Sequence, residues 1–156
     1  MELQCGKRFV MTDGDNEDFS YLCSRLDENL DELVGTKFQR KQYEQFNTRE
    51  AIHDVILIYD GNRPIGCGSF KHYDQETMEI KRVFVEKEFR GQGLSKELLS
   101  RLEEKAKSKG YKYAVLETGK PLVAAMKLYK SIGYKVVPNY GPYKEMPNSI
   151  CMEKEL

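Results

Sequence analysis

The stretch Glu79-Ile80-Lys81-Arg82-Val83-Phe84-Val85-Glu86-Lys87-Glu88-Phe89-Arg90-Gly91-Gln92-Gly93-Leu94-Ser95 decides how this chain is read. It passes from a β-branched and aromatic run, through a short charged link, into a Gly-X-Gly turn. Leu94, Leu98, Leu99, Leu102 and Ala106 then recur at helical spacing, with Arg101, Glu103, Lys105 and Lys107 expected on the outward face. A strand that enters a helix through glycines presents backbone N–H groups with no intrahelical partner, where the helix dipole favours an anion. Glycine suits the turn because a β-carbon would keep the backbone away from a phosphate. The segment therefore reads as a phosphate cradle.

Two common phosphate loops fit poorly. A Walker loop needs a glycine five residues after Gly91, followed by Lys and Ser or Thr, and Lys96 stands in the glycine's place. A dinucleotide fingerprint puts its third glycine at the same position, near the first strand of a βαβ unit rather than past mid-chain. The segment instead resembles the acetyl-CoA signature of the GNAT N-acetyltransferase superfamily, Gln/Arg-x-x-Gly-x-Gly/Ala after a strand ending in valine. Arg90, Gly93 and Ser95 fill those places after Val85, with Ser95 a small residue where glycine or alanine is usual. Farther on, Ala124-Ala125-Met126-Lys127-Leu128-Tyr129-Lys130-Ser131-Ile132-Gly133-Tyr134 looks like the family's second signature, a helix ending Leu-Tyr-x-x-x-Gly-Phe/Tyr.

Composition sets bounds around these motifs. A chain of 156 residues is expected to be one domain, residues 1–156, with an ordinary globular composition of 40% hydrophobic and 32% charged residues. Twenty-five basic residues balance 25 acidic ones, which favours neither nucleic acid nor an anionic membrane as partner. No apolar run approaches the roughly 18–20 residues of a membrane span, and residues 1–7 lack the apolar centre of a signal peptide. Cys5, Cys23, Cys67 and Cys151 form no C-x-x-C pair, and His53 and His72 belong to no ligand spacing, so no metal is expected. Reduced thiols in a cytoplasmic protein are the simplest reading.

Along the chain, strands are expected over Lys7–Met11, His53–Tyr59, Pro64–His72, Thr77–Val85, Tyr113–Glu117, Tyr134–Val137 and Ser149–Glu153. Helices are expected from Glu17 towards a stop at Gly35, from Leu94 to Gly110, and over Lys120–Ile132. Residues 36–51 read as a short helix or a loop. Asp60-Gly61-Asn62-Arg63 and Asp74-Gln75-Glu76 are turns too short for crossovers, so the three strands they join form an antiparallel meander, whereas strands separated by helices allow parallel pairing. This order is also that of the GNAT fold. The resemblance implies an α/β (α+β) architecture with a mixed, mostly antiparallel sheet of about six to seven strands and about four helices.

The resemblance also implies acetyl-CoA as co-substrate and assigns residues to it. Its diphosphate would lie on the N–H groups of Arg90, Gly91, Gln92, Gly93, Leu94, Ser95 and Lys96, and a strand distortion would free a backbone N–H of Phe84 or Val85 for the thioester carbonyl. Lys96 and Lys127 either reach phosphates or are solvated helix lysines. Glu79, six residues before Val85, has the offset of the catalytic glutamate in the histone acetyltransferase branch; otherwise it is a strand carboxylate paired with Lys81 or Arg82. A base is needed because a lysine-like amine with pKa 10.4 is nucleophilic in only about one molecule in two thousand at pH 7. Tyr129 takes the place of the tyrosine that faces the CoA sulfur, unless it is a packed helix aromatic. Handing a phenol proton to a thiolate is uphill by about 2 kcal/mol at ordinary pKa values, so Tyr129 reads as a hydrogen-bond donor to sulfur.

Two segments are candidates for the acceptor side. Residues 1–36 carry three basic and nine acidic residues, and the Asp27, Glu28, Asp31, Glu32 edge either attracts a cationic amine or is a solvated helix face. The loop Asn139-Tyr140-Gly141-Pro142-Tyr143-Lys144-Glu145-Met146-Pro147 resembles a run in some uncharacterised bacterial members. Tyr140 and Tyr143 could wall a small-molecule pocket, or the loop merely joins two strands. The function implied is transfer of an acetyl group to a primary amine of a small molecule or peptide. Another acyl donor, a protein-lysine acceptor, or a non-catalytic acyl-CoA sensor are the alternatives. Homodimers are common in the family.

Overall fold

The structure, a computed structural model, describes residues 2–4, 6–34 and 51–156. Its strands are β1 (Glu2–Gln4), β2 (Lys7–Thr12), β3 (Ile52–Asp60), β4 (Arg63–His72), β5 (Thr77–Val85), β6 (Tyr113–Gly119), β7 (Lys135–Val137) and β8 (Ser149–Glu155). Its α-helices are α1 (Glu17–Val34), α2 (Leu94–Ser108) and α3 (Val123–Ser131). All eight strands join one sheet in the order β1-β2-β3-β4-β5-β6-β8-β7. Every neighbouring pair is antiparallel except β5 and β6. The expected mixed, mostly antiparallel sheet and its central meander are both present.

The differences are local. β1 is one strand beyond the six or seven expected, because three residues are too few to show an alternation. Most of the segment read as a short helix or loop, and the helix stop at Gly35, lie outside the described residues. Three α-helices are present among the described residues, against about four expected. The helix expected from Lys120 starts at Val123, after a turn around Pro121 in which the Leu122 N–H donates to the Gly119 carbonyl at 2.9 Å. Glu103 does not face outward: it is buried, accepting from the Tyr134 hydroxyl at 2.8 Å and the Lys154 ammonium at 2.7 Å. It lies four residues after Leu99, on the same helix face, and two partners from distant elements satisfy its charge.

Strand alternation divides the apolar residues between two cores. On one face, Phe19, Leu22, Cys23 and Leu26 of α1 cover Val55, Leu57, Cys67 and Phe84. Asn16 starts that helix by accepting from the Phe19 N–H at 3.0 Å. On the other face, Leu98, Leu99, Leu102 and Ala106 of α2 cover Ile56, Phe70, Met78 and Ile80. Gly68 sets how closely α2 approaches β4, since a β-carbon there would lie 2.9 Å from Leu98 Cδ2 and 3.0 Å from Leu102 Cδ1.

Two features of β5 open the sheet. Opposite β4, the register steps from Cys67↔Phe84 to Ser69↔Lys81, so Arg82 and Val83 oppose Gly68 alone. This is a β-bulge, and Arg82 adopts φ 59, a left-handed conformation costly for an L side chain. The Arg82 guanidinium offsets that strain by donating to the Cys23 carbonyl of α1 at 2.8 Å and pairing with Asp27 at 3.0 Å. The neighbouring carbonyls are held as well, Arg82 O by Cys67 Sγ at 3.2 Å and Lys81 O by Ser69 Oγ at 2.6 Å. On its other edge, β5 pairs with β6 only from Thr77↔Tyr113 to Glu79↔Val115. Beyond Glu79 the two strands part, while β6 stays paired to β8 as far as Gly119. A wedge opens in the sheet, with residues 80–85 on one side and 116–119 on the other.

Candidate active site

The wedge is a cavity of about 490 Å³, bordered by β5, β6, α1 and the start of α3. At one end lies the glycine turn. After a 3-10 turn over Lys87–Phe89, Gly91 and Gly93 take φ values of 81 and 79, which only glycine adopts cheaply. A β-carbon on either would meet no atom within 4 Å, so backbone conformation, not crowding within the chain, demands glycine there. Gly93 is also the N-cap of α2, and no side chain caps that helix. The first N–H groups of α2 are therefore available to an anion. Ser95 lines the cavity, whereas Lys96 and Lys127 are exposed.

Arg90 is engaged with the chain itself. Its Nε donates to the Val85 carbonyl at 2.8 Å, Nη2 to Asn29 Oδ1 at 3.3 Å, and the guanidinium lies 5.7 Å from the Phe84 ring centroid. It fastens the loop to the end of β5 and to α1. The side chains of Phe84 and Val85 belong to the two cores, and their backbones border the wedge beside the bulge.

Tyr129, near the end of α3, is buried and reaches the cavity wall. Burial, with the Glu117 carboxylate adding to it, pushes its phenol pKa up to about 12. Its ring meets Tyr134 edge-on with centroids 5.8 Å apart. Raising the phenol pKa makes full proton loss harder and leaves the neutral hydroxyl as a donor. Handing the proton to a thiolate now costs roughly 5 kcal/mol against an ordinary thiol.

Glu79, on the α1 side of the sheet, is buried and does not line the cavity. Its Oε2 accepts from the Tyr140 hydroxyl at 2.6 Å, and Lys71, its cross-strand neighbour, lies 3.9 Å from Oε1. Glu79 thus has Tyr140 and Lys71 as partners, while Arg82 pairs with Asp27. Lys81, two residues on, does line the cavity, and its Nζ donates to the Tyr143 hydroxyl at 3.1 Å. Burial lowers the Lys81 pKa, with the charge of Glu79 opposing that shift. The two loop tyrosines therefore separate: Tyr143 is on the cavity wall, and Tyr140 covers Glu79. Asn139 holds the loop, its amide donating to the carbonyls of Tyr143, Met146 and Ser149 at 3.1, 3.3 and 3.2 Å.

One residue of the wall was not singled out in the sequence. Glu117 of β6 lines the cavity across the wedge from Lys81 and accepts from the Ser149 hydroxyl at 2.8 Å. Its signal is a carboxylate directly after the apolar run Ala114-Val115-Leu116, where a β-strand enters the core. Of the acidic edge on α1, Asp27 pairs with Arg82 and Glu28 with Arg25 at 2.8 Å, so both carboxylates are tied to basic residues of the chain. Among the described residues, no group of three or more His, Cys, Asp or Glu is placed to hold a metal, and no helix is long and apolar enough to cross a membrane.

The chain belongs to the acetyltransferase (GNAT) family, whose model matches residues 15–134. It is similar to YsnE of Bacillus subtilis (strain 168), an N-acetyltransferase that is itself uncharacterised, at 34% identity over 100 residues. That match covers 63% of the chain and 66% of YsnE. It is 36% identical over 137 residues to the IAA acetyltransferase of Azospirillum brasilense, covering 85% of the chain and 89% of that protein. Among solved structures, a GNAT family acetyltransferase from Elizabethkingia anophelis with acetyl-CoA bound shares the fold at TM-score 0.68 and 23% identity, over 98% of the chain and 100% of that protein.

Proposed function

We propose that this protein is an acetyl-CoA-dependent N-acetyltransferase that moves an acetyl group directly to a primary amine of a small molecule or peptide. One observation carries the reading: a single wedge joins an uncapped helix start at Gly93 to the cluster of Tyr129, Glu117, Lys81 and Tyr143. The Arg90 N–H donates to the Lys87 carbonyl at 3.3 Å, so the diphosphate of acetyl-CoA would rest on the N–H groups from Gly91 to Lys96, and the pantetheine arm would run along β5 past Phe84 and Val85. The bulge at Arg82 and Val83 distorts the strand where the thioester carbonyl would lie, as the resemblance to the family implies.

In the step itself the amine nitrogen attacks the carbonyl carbon, and the C–S bond breaks. Tyr129 donates a hydrogen bond to the departing thiolate. The proton lost by the amine goes to a carboxylate, and Glu117 is the one on the wall. Glu79 is the alternative base, acting through a water, with Tyr140 over its carboxylate. A cytoplasmic location suits the free thiols Cys23, Cys67 and Cys151 and the supply of acetyl-CoA.

Calorimetry with acetyl-CoA, followed by release of free CoA in the presence of primary amines, tests the reading. Saturable binding and amine-dependent release are expected. Binding without release across a broad set of amines would assign the protein to acyl-CoA sensing instead.

A further inference from the structure

Glu103 shares the buried face of α2 with Leu98, Leu99, Leu102 and Ala106, and the transfer step makes no use of it. Its Oε2 accepts from the Tyr134 hydroxyl at 2.8 Å and its Oε1 from the Lys154 ammonium of β8 at 2.7 Å. The same ammonium lies 5.7 Å from the Tyr134 ring centroid, so Tyr134 is held at its hydroxyl and on its ring. A buried ion pair is a weak source of stability, because apolar side chains of similar volume commonly do as well once desolvation is counted. What a hydrogen-bonded polar network does supply is one defined arrangement of its side chains.

That arrangement ends at Tyr129. The Tyr129 carbonyl accepts from the N–H of Ile132 at 3.2 Å and of Tyr134 at 3.0 Å, across Gly133 at φ 104. This glycine-permitted helix end brings the Tyr134 ring edge-on to the Tyr129 ring, with centroids 5.8 Å apart. Lys154 packs over the same turn, its Cε 3.4 Å from the place of a β-carbon on Gly133. The ring torsion of a tyrosine is broad in isolation, so neighbouring rings decide where its hydroxyl points. Burial, and then the Glu103 charge, raise the Tyr134 phenol pKa, which keeps that hydroxyl a donor to Glu103.

Resting on the role given to Tyr129 in acetyl transfer, we infer that Tyr134 and Glu103 are positioning residues, with Lys154 as their support. Glu103 fixes the Tyr134 ring, and that ring holds Tyr129 with its hydroxyl on the CoA sulfur. Neither residue touches the reacting atoms. Tyr129 meets the sulfur, and the Glu117 carboxylate of β6 is the charge that acts on its phenol.

The test reads the contact with sulfur without any acceptor. Calorimetry compares CoA with desulfo-CoA, which lacks the thiol, at about pH 6 and about pH 9, on either side of the thiol pKa of about 8.5. A donor on the sulfur favours the thiolate, so CoA gains affinity over desulfo-CoA as pH rises. That gain is expected to be at least about fivefold larger in the wild type than in Tyr129→Phe. Tyr134→Phe and Glu103→Leu are expected to fall to within about twofold of Tyr129→Phe, and Tyr134→Phe added to Tyr129→Phe to change nothing further. Desulfo-CoA should bind every variant within about twofold of the wild type. If Glu103→Leu does not fold, Tyr134→Phe, which keeps the ring, decides alone. A gain kept in Tyr134→Phe but lost in Tyr129→Phe would overturn the inference and leave the role of Tyr129 intact. Equal losses of CoA and desulfo-CoA affinity in Tyr134→Phe would make its role structural and overturn the inference as well. A wild-type gain no larger than that of Tyr129→Phe would remove the sulfur contact, and the inference with it. No binding of CoA at all would remove the acetyl-transfer reading itself.

Discussion

At the scale of single residues, roles separate by which property each side chain can change. Tyr129→Phe removes one hydroxyl and little volume, so turnover should fall roughly ten- to hundredfold, the worth of a hydrogen bond to a developing charge. The dissociation constant for acetyl-CoA should change less than about twofold if the hydroxyl acts mainly on the departing thiolate. Rapid-mixing turnover and calorimetry on the same preparation check both values, and an equal loss in affinity would contradict the role. Glu117→Gln and Glu79→Gln separate the two carboxylates. The base variant should lose the acidic limb of its kcat/KM profile, whereas the other should keep its shape. The account expects the change in Glu117→Gln, and an altered profile only in Glu79→Gln would return the role to the residue suggested by the strand motif.

Glu117 was hard to find in sequence because its value is tertiary. Twenty-five acidic residues compete for attention, and nothing local shows that β5 and β6 part at Glu79. Glu103 teaches the reverse. As a charged helix residue it reads as outward-facing, yet it lies four residues after Leu99 on the buried face, and the Tyr134 and Lys154 partners that permit burial come from elsewhere in the chain. Gly91, Gly93 and Tyr129 were legible because backbone conformation and motif spacing are local properties.

At the scale of elements, the strand–turn–helix unit and the bulge carry the site. Gly93→Glu puts a β-carbon at φ 79 and a carboxylate at the mouth of an anion site. Acetyl-CoA binding by calorimetry should weaken by at least about a hundredfold. Retained affinity would move the diphosphate away from the start of α2. Gly68→Val tests the packing of α2 on β4, because the new side chain would enter space held by Leu98 and Leu102. Urea unfolding should show a loss of about 1–3 kcal/mol, the usual range for overpacking. Helices and central strands were legible from their periodicity. The bulge was not, since a two-for-one register appears only when β4 and β5 are paired.

At the scale of the whole molecule, buried acids that stay neutral make stability fall in alkali. Tyr129 is held at about 12 against an ordinary phenol near 10, and Cys151 at about 11 against 9, burial leading in both. Folded-state values above the unfolded ones mean that the folded chain keeps protons the unfolded chain releases. Their stabilisation is complete below about pH 9 and is lost as pH rises to about 12, with Tyr129 alone worth on the order of 2–3 kcal/mol. Lys81, whose pKa is lowered, acts in the opposite direction and offsets part of the loss. Urea unfolding under reducing conditions at several pH values should show a falling midpoint above pH 9, and a flat profile would contradict the burial of Tyr129.

The sheet as a whole also explains how much of the fold could be anticipated. The meander followed from short turns and the parallel pair from an intervening helix, while insertion of β8 between β6 and β7 required the complete topology. That insertion brings Ser149 to Glu117 and so completes the polar side of the wedge. The most direct measurement of the central claim is amine-dependent conversion of acetyl-CoA, read as free CoA and as acetylated product by mass spectrometry in the same reaction. The account predicts one acetylated amine for each CoA released, with release lost in Gly93→Glu. Saturable acetyl-CoA binding with no product from any primary amine would contradict it.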